Sequence, residues 1–204
     1  MIELTKENGL WIATINRPDK ANSLTKAMLS QLADIAEDAA GQAGALVITG
    51  RGRVFSAGAD LQEAHAGLAT DPVWERLSSA IAAAPCLTIA ALNGTLAGGA
   101  FGMALACDLR IADPGARFFY PAMKLGFLPQ PSDPARLRAL VGPARAKLIL
   151  MGGQKITADE ALQFGLVDRL IPADQMPDAI ADLSADVLSA KPEILSGIKQ
   201  MCNG

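Results

Sequence analysis

Apolar residues recur along this chain in two periods, and the two alternate. Ile2 and Leu4, then Leu10, Ile12 and Ile15, alternate with polar positions around Glu7-Asn8-Gly9, a pattern that predicts a β-hairpin. A turn-rich stretch, Asn16-Arg17-Pro18-Asp19-Lys20, leads into residues 23–40. There Leu24, Met28, Leu32, Ile35 and Ala39 return at three- and four-residue steps and predict an amphipathic helix. Residues 45–49 and 87–92 are unbroken apolar runs of strand length, and 108–112 gives another strand ahead of a Pro114-Gly115 turn. Helices are predicted near 73–83 and 98–107. Beyond Pro121 the chain reads as mainly helical, near 133–140, 144–151, 158–164, 174–190 and 192–201. This alternation predicts an α/β fold of βαβ units with helices covering a sheet. The chain has 204 residues, the size of one domain, with an α/β core over about 1–140 and a helical C-terminal region over about 141–204.

Composition narrows the function classes. Half of the residues are hydrophobic, yet no apolar run reaches the roughly 20 residues that cross a bilayer; the stretch 81–92 is broken by Pro85 and followed by Asn93-Gly94. The expectation is a soluble, cytoplasmic protein without a membrane partner, since the N-terminus has an early acidic residue and no basic segment leading into an apolar one. Cys86, Cys107 and Cys202 are odd in number and lack paired spacing, which argues against a disulfide framework or a zinc site. A net charge of −3, scattered Lys and Arg, and only nine aromatic residues make nucleic acid an unexpected partner.

The candidate chemistry lies in two runs of small residues, Phe55-Ser56-Ala57-Gly58-Ala59-Asp60 and Ala97-Gly98-Gly99-Ala100-Phe101-Gly102. Each follows a predicted strand, and each is small enough to bring backbone N–H groups against a ligand. Amides at a helix start are unsatisfied and partly positive, so the pair suits a carbonyl oxygen that gains negative charge during reaction. The alternative is that each run is a tight turn that lets a helix pack closely on a sheet. Apart from Asp60 the runs hold no acid, base or nucleophile, so they polarise a carbonyl but cannot move a proton unaided. Other glycine chemistry is excluded: Gly50-Arg51-Gly52 does not continue into a dinucleotide fingerprint, and no phosphate loop or nucleophile elbow is present. The one histidine, His65, reads either as a general base or carbonyl-side donor near the first run, or as a partly exposed loop residue.

Four segments in order, NRPDKANSL at 16–24, FSAGADL at 55–61, LAGGAFGMALACDLRIA at 96–112 and ITADEALQFGLVDRLIP at 156–172, resemble the crotonase superfamily, also called the enoyl-CoA hydratase/isomerase family. The resemblance runs over nearly the whole chain. It implies a crotonase-like spiral of repeated ββα units, an acyl-CoA substrate, and lyase, isomerase or hydrolase chemistry in fatty acid metabolism. It further implies no cofactor beyond the CoA moiety and a homotrimer or hexamer. By resemblance, Ala59 and Gly99 donate the two oxyanion N–H groups, and Ala57 lies beside the adenine. Arg17, Lys20, Ala21 and Asn22 lie near the nucleotide end of CoA. Arg53 matches a position near the CoA phosphates, although it reads equally as a solvated turn arginine. Asp60 is expected to organise its loop through backbone hydrogen bonds.

The departures from the family pattern bear on mechanism. Resembling hydratases carry two glutamates that hold and activate water, at positions that match Gly102 and Ala122 here; neither residue transfers a proton. Standard enoyl-CoA hydration is therefore not expected unless another group substitutes, and a non-catalytic acyl-CoA-binding role is the alternative. Three further candidates lie around Leu128-Pro129-Gln130-Pro131-Ser132-Asp133-Pro134. Asp133 is a base if desolvated, or a helix N-cap ahead of Pro134. Tyr120 is a proton-transfer group, or a packing residue with its hydroxyl at the surface. Gln130 orients an acyl carbonyl, or shapes the turn. Resembling proteins also continue well past the position of Met201, with helices that help to complete the trimer and cover the CoA site.

Overall fold

The computed structural model describes residues 1–203. Strands β1 (Ile2–Glu7) and β2 (Leu10–Ile15) form the expected antiparallel hairpin about Asn8-Gly9. β3 (Ala45–Gly50), β5 (Leu87–Leu92), β7 (Leu109–Ala112) and β10 (Arg169–Leu170) extend it in parallel, giving a six-stranded sheet in the order β1-β2-β3-β5-β7-β10. A second sheet pairs β4 (Val54–Ser56), β6 (Thr95–Ala97), β8 (Arg117–Phe119) and β9 (Ile156–Thr157), with β9 alone antiparallel.

Three strands of the large sheet thus pass directly into a strand of the small one: β3 into β4, β5 into β6 and β7 into β8. Helices follow each pair. After β4 come α2 (Leu61–His65) and α3 (Val73–Ala83), after β6 comes α4 (Phe101–Ala106), and after β8 comes α5 (Ala122–Leu125). The result is a repeated ββα turn. The first long helix, α1 (Lys26–Asp38), precedes β3; it starts three residues later than its apolar pattern because the Thr25 side chain accepts from the Met28 N–H and caps it there.

The strands bury both faces, and the period of two sorts their side chains. Leu46, Ile48, Ala90 and Leu92 point into the main core with α1, α3 and α4. Val47, Ile89 and Ala91 point to the opposite face, where Met176 and Ile180 of α8 (Met176–Ser189) cover them. The C-terminal region is completed by α6 (Asp133–Leu150), α7 (Ala158–Phe164) and α9 (Pro192–Asn203). The two helices expected near 133–140 and 144–151 form one element kinked at Gly142, where a non-helical backbone precedes Pro143. No helix among the described residues is long and apolar enough to cross a membrane.

Candidate active site

The two small-residue runs meet at the edge of the small sheet. Gly58 has φ +92°, and a Cβ placed on it would lie 2.9 Å from Ala97 O and 3.4 Å from both Gly98 Cα and Gly99 N. Any side chain at 58 would therefore push the runs apart. Gly98, at φ +57°, starts a 3-10 turn over Gly98–Ala100 that leads into α4. That differs from the regular helix expected from residue 98.

This packing sets the direction of two amides. Leu24 N–H donates to Gly58 O and Asp60 N–H donates to Leu24 O, both at 2.8 Å, so Ala59 is bridged in parallel to Leu24. The N–H of Ala59 itself points away from Leu24 in such a bridge, and it has no hydrogen-bond partner among the described residues. Gly99 is the second residue of its turn, where an N–H has no partner within the helix. Ala59 and Gly99 both line one cavity of about 130 Å³, together with Trp74, Tyr120, Ala122 and Gln130. Trp74 packs directly on Gly99: a Cβ on Gly99 would stand 3.2 Å from the indole, whose Nε1–H donates to Leu68 O at 2.8 Å.

The cavity wall is mostly apolar, with Tyr120 and Gln130 its polar side chains, and carries no charged side chain. Leu61, Leu125, Phe127 and Leu128 rim it and are exposed, Leu128 at 87%. Exposed apolar groups gathered around one opening mark a binding mouth rather than scattered surface leucines. Sequence reading missed this rim and Trp74. Trp74 sits on the same helical face as Leu77 and Ile81, so its pattern signals only core.

Tyr120 and Asp133 differ from the bland readings of their sequence. Tyr120 is buried at 5% exposure, with its ring 5.5 Å from Phe101. Its hydroxyl donates to Asp133 Oδ2 at 2.9 Å and accepts from Gln130 N–H at 3.4 Å. Asp133 is 1% exposed and is the first residue of α6; the position before it, Ser132, makes no capping bond, and Asp133 Oδ1 has no partner among the described residues. Burial raises the Asp133 carboxyl to about 7, with the Glu75 charge adding and Tyr120 and Arg136 opposing. Burial, and then the Asp133 charge, pushes Tyr120 far above an ordinary phenol. Gln130 lines the cavity, and its amide donates to Ala69 O at 2.9 Å.

Gly102 is on α4, and a Cβ there would be 2.9 Å from Asp133 Oδ1. The carboxyl thus fills the space next to Gly102. His65 ends α2 exposed and outside the cavity lining.

Asp60 caps α2, accepting from the Gln62 and Glu63 N–H groups, and pairs with Arg17 at 2.7 Å. The Arg17 hydrogen bond holds its carboxyl below the usual range. Asn22 is fully buried, and its amide donates to Arg51 O and Val54 O while accepting from Arg17 N–H. Its side chain is spent on shaping the loop. Ala21 has φ +50°, and Lys20, Arg53 and Ala57 are exposed, Ala57 also lining the cavity. A larger groove of about 780 Å³ lies under α9, but its charged groups are engaged within the fold, Lys199 with Asp108 and Arg110 with Asp168.

Comparison with known proteins agrees with this architecture. The enoyl-CoA hydratase/isomerase family model matches residues 5–203, and the chain belongs to that family. It is 35% identical to 2,3-dehydroadipyl-CoA hydratase of Escherichia coli over 97% of this chain and 79% of that protein. It is 33% identical to short-chain-enoyl-CoA hydratase of Clostridium acetobutylicum, covering 98% of this chain and 80% of that one. Among solved structures, DspI of Pseudomonas aeruginosa superposes with a TM-score of 0.91 at 30% identity, covering 100% of this chain and 86% of that one. The fold is the α/β crotonase fold, with two mixed sheets and C-terminal helices.

Proposed function

We propose that this protein binds an acyl-CoA thioester with an apolar acyl group and stabilises the enolate or oxyanion formed from it through the N–H groups of Ala59 and Gly99. The observation that carries this reading is the contact of Gly58 with Gly98-Gly99, which leaves two backbone donors lining one uncharged cavity. Such donors act on a thioester oxygen as it gains charge, and loss of one costs about 10²–10³ in rate. The rim of Leu61, Leu125, Phe127 and Leu128 suits a hydrocarbon chain. A second carboxylate, as in the dehydroadipyl group named for one relative, would meet no cation in this lining. The exposed Lys20 and Arg53 are available to CoA phosphates beyond the mouth. The family resemblance supports a homotrimer or hexamer and no cofactor beyond CoA.

A second reading, a binding protein without turnover, is favoured by Gly102 and Ala122, which carry no proton-transfer group. Infrared difference spectra of octanoyl-CoA labelled with ¹³C at the thioester carbonyl test the main reading. A band shifted to lower frequency on binding is expected. An unshifted band in the bound ligand would remove the oxyanion site.

A further inference from the structure

Acyl-CoA chemistry at an oxyanion site requires a group that takes or gives a proton, and the residues that match the family's glutamates cannot do so. Of the residues that line the cavity, only Tyr120 has a titratable side chain. Its hydroxyl is not idle packing, because it ends on a carboxyl that is itself cut off from water. A buried carboxyl with one orphaned oxygen is costly, and a phenylalanine against an apolar residue would fill the same volume without that cost. The orphaned Oδ1 faces Gly102, so the carboxyl occupies room beside the active-site helix that any larger residue at 102 would need.

We propose, on the reading of the site above, that Tyr120 and Asp133 form its proton-transfer pair, Tyr120 acting on the bound acyl group and Asp133 acting through Tyr120. In the forward step the Cα–H bond of the thioester breaks and its electron pair moves into the enolate, whose oxygen lies on the Ala59 and Gly99 amides. The proton forms a new bond to Tyr120 Oη as the original Oη–H proton passes to Asp133 Oδ2. Tyr120 ends unchanged and Asp133 ends neutral. The reverse transfer returns the proton to Cα, or to Cγ when a β,γ double bond is conjugated with the enolate, which shifts that double bond. No other reactant is needed. Tyr120 is the catalytic residue of the pair and Asp133 is a positioning and proton-holding residue.

The surroundings of Asp133 keep it able to change state near neutral pH. Tyr120 faces it from the segment after β8, the Glu75 charge on α3 favours its neutral form, and the Arg136 charge on α6 favours its ionised form. Glu75 is engaged by Ser132, whose N–H and hydroxyl donate to it, and Arg136 donates to Ser132 Oγ at 2.8 Å. From α4, Gly102 meets the carboxyl, and α4 (Phe101–Ala106) carries no titratable side chain.

The test is exchange of the C2 hydrogens of octanoyl-CoA in D₂O, followed by mass spectrometry, with binding measured separately by calorimetry. Wild-type protein is expected to exchange deuterium into C2. Tyr120→Phe and Asp133→Asn should each lose about 10²–10⁴ of the exchange rate while keeping their affinity. The pH–rate profile should inflect near 7 in wild type and lose that inflection in Asp133→Asn. Exchange at the wild-type rate in both variants would overturn the pair, as would a wild-type protein that binds octanoyl-CoA without exchange. Failure to bind octanoyl-CoA would instead overturn the reading of the site, and the pair's role with it. Titration of the Asp133 carboxyl by ¹³C NMR in the unliganded protein needs no variant: a midpoint near 7 supports the pair, and one near 3.8 overturns it.

Discussion

The Asp133 carboxyl stands where a side chain at Gly102 would have to go: a Cβ on Gly102 would lie 2.9 Å from Asp133 Oδ1. The two positions therefore cannot enlarge independently. Gly102→Ala is expected to displace the carboxyl from Tyr120 and to cost about 1–3 kcal/mol of stability, the usual range for overfilling a packed site. Urea denaturation measures the stability, and C2 exchange measures the consequence at the cavity. A variant with unchanged stability and unchanged exchange would show that the carboxyl has room to spare.

The buried carboxyl also makes stability depend on pH with a definite sign. Asp133 titrates at about 7 in the folded protein and near 3.8 when exposed. Between those values the folded state holds a proton that the unfolded state has released, so this group's contribution makes stability fall as pH rises from about 4 to about 7, then level off. Asp133→Asn does not titrate. The stability of the variant relative to wild type should rise across that window by about a few kcal/mol. Thermal melts of both proteins between pH 4 and 8 check it, and a constant difference would contradict it.

Thiol reactivity should divide the three cysteines. Burial pushes Cys107 up to about 12 and raises Cys86, while Cys202 on α9 is exposed. Because the thiolate is the reactive form, native protein at neutral pH is expected to react rapidly at Cys202 alone. Peptide mapping after brief alkylation reads this directly, with all three labelled once the protein is denatured. Rapid labelling of Cys107 in the native state would mean that α4 opens.

Affinity should follow acyl length as long as the added methylenes reach the apolar rim. Each buried methylene is worth about 0.8 kcal/mol, or about fourfold in Kd. Calorimetry with a series of saturated acyl-CoAs should show that gradient, together with weaker binding of an acyl group that ends in a carboxylate. Leu128→Asp should flatten the gradient and leave binding of CoA itself unchanged. A gradient unaffected by Leu128→Asp would place the chain elsewhere.

The sequence carried the large elements because they are long enough to be periodic. Residues 73–83 read as a helix and form α3, and 87–92 read as a buried strand and form β5. The second sheet was not legible. Its strands are two or three residues long, too short for a period of two; β4, β6 and β8 exist because each continues a long strand around a bend, and β9 joins them from beyond α6. The five-residue α2 was hidden for the same reason; Asp60 was expected to organise its loop through backbone hydrogen bonds, and those bonds turn out to cap this helix. At the site, the two runs of small residues were evident, but their meeting at Gly58 was not. Asp133 followed by Pro134 looks locally like a helix cap. Only the fold shows that its side chain turns inward to Tyr120 instead. Tyr120 likewise has no local signal of burial, because the residues that enclose it come from α4 and from the loop before α6.

A crystal structure with a bound acyl-CoA would show directly whether a thioester oxygen rests on the amides of Ala59 and Gly99. That oxygen is expected about 3 Å from both nitrogens, with the acyl chain leaving past Leu128. A thioester bound with its oxygen away from both amides would contradict it.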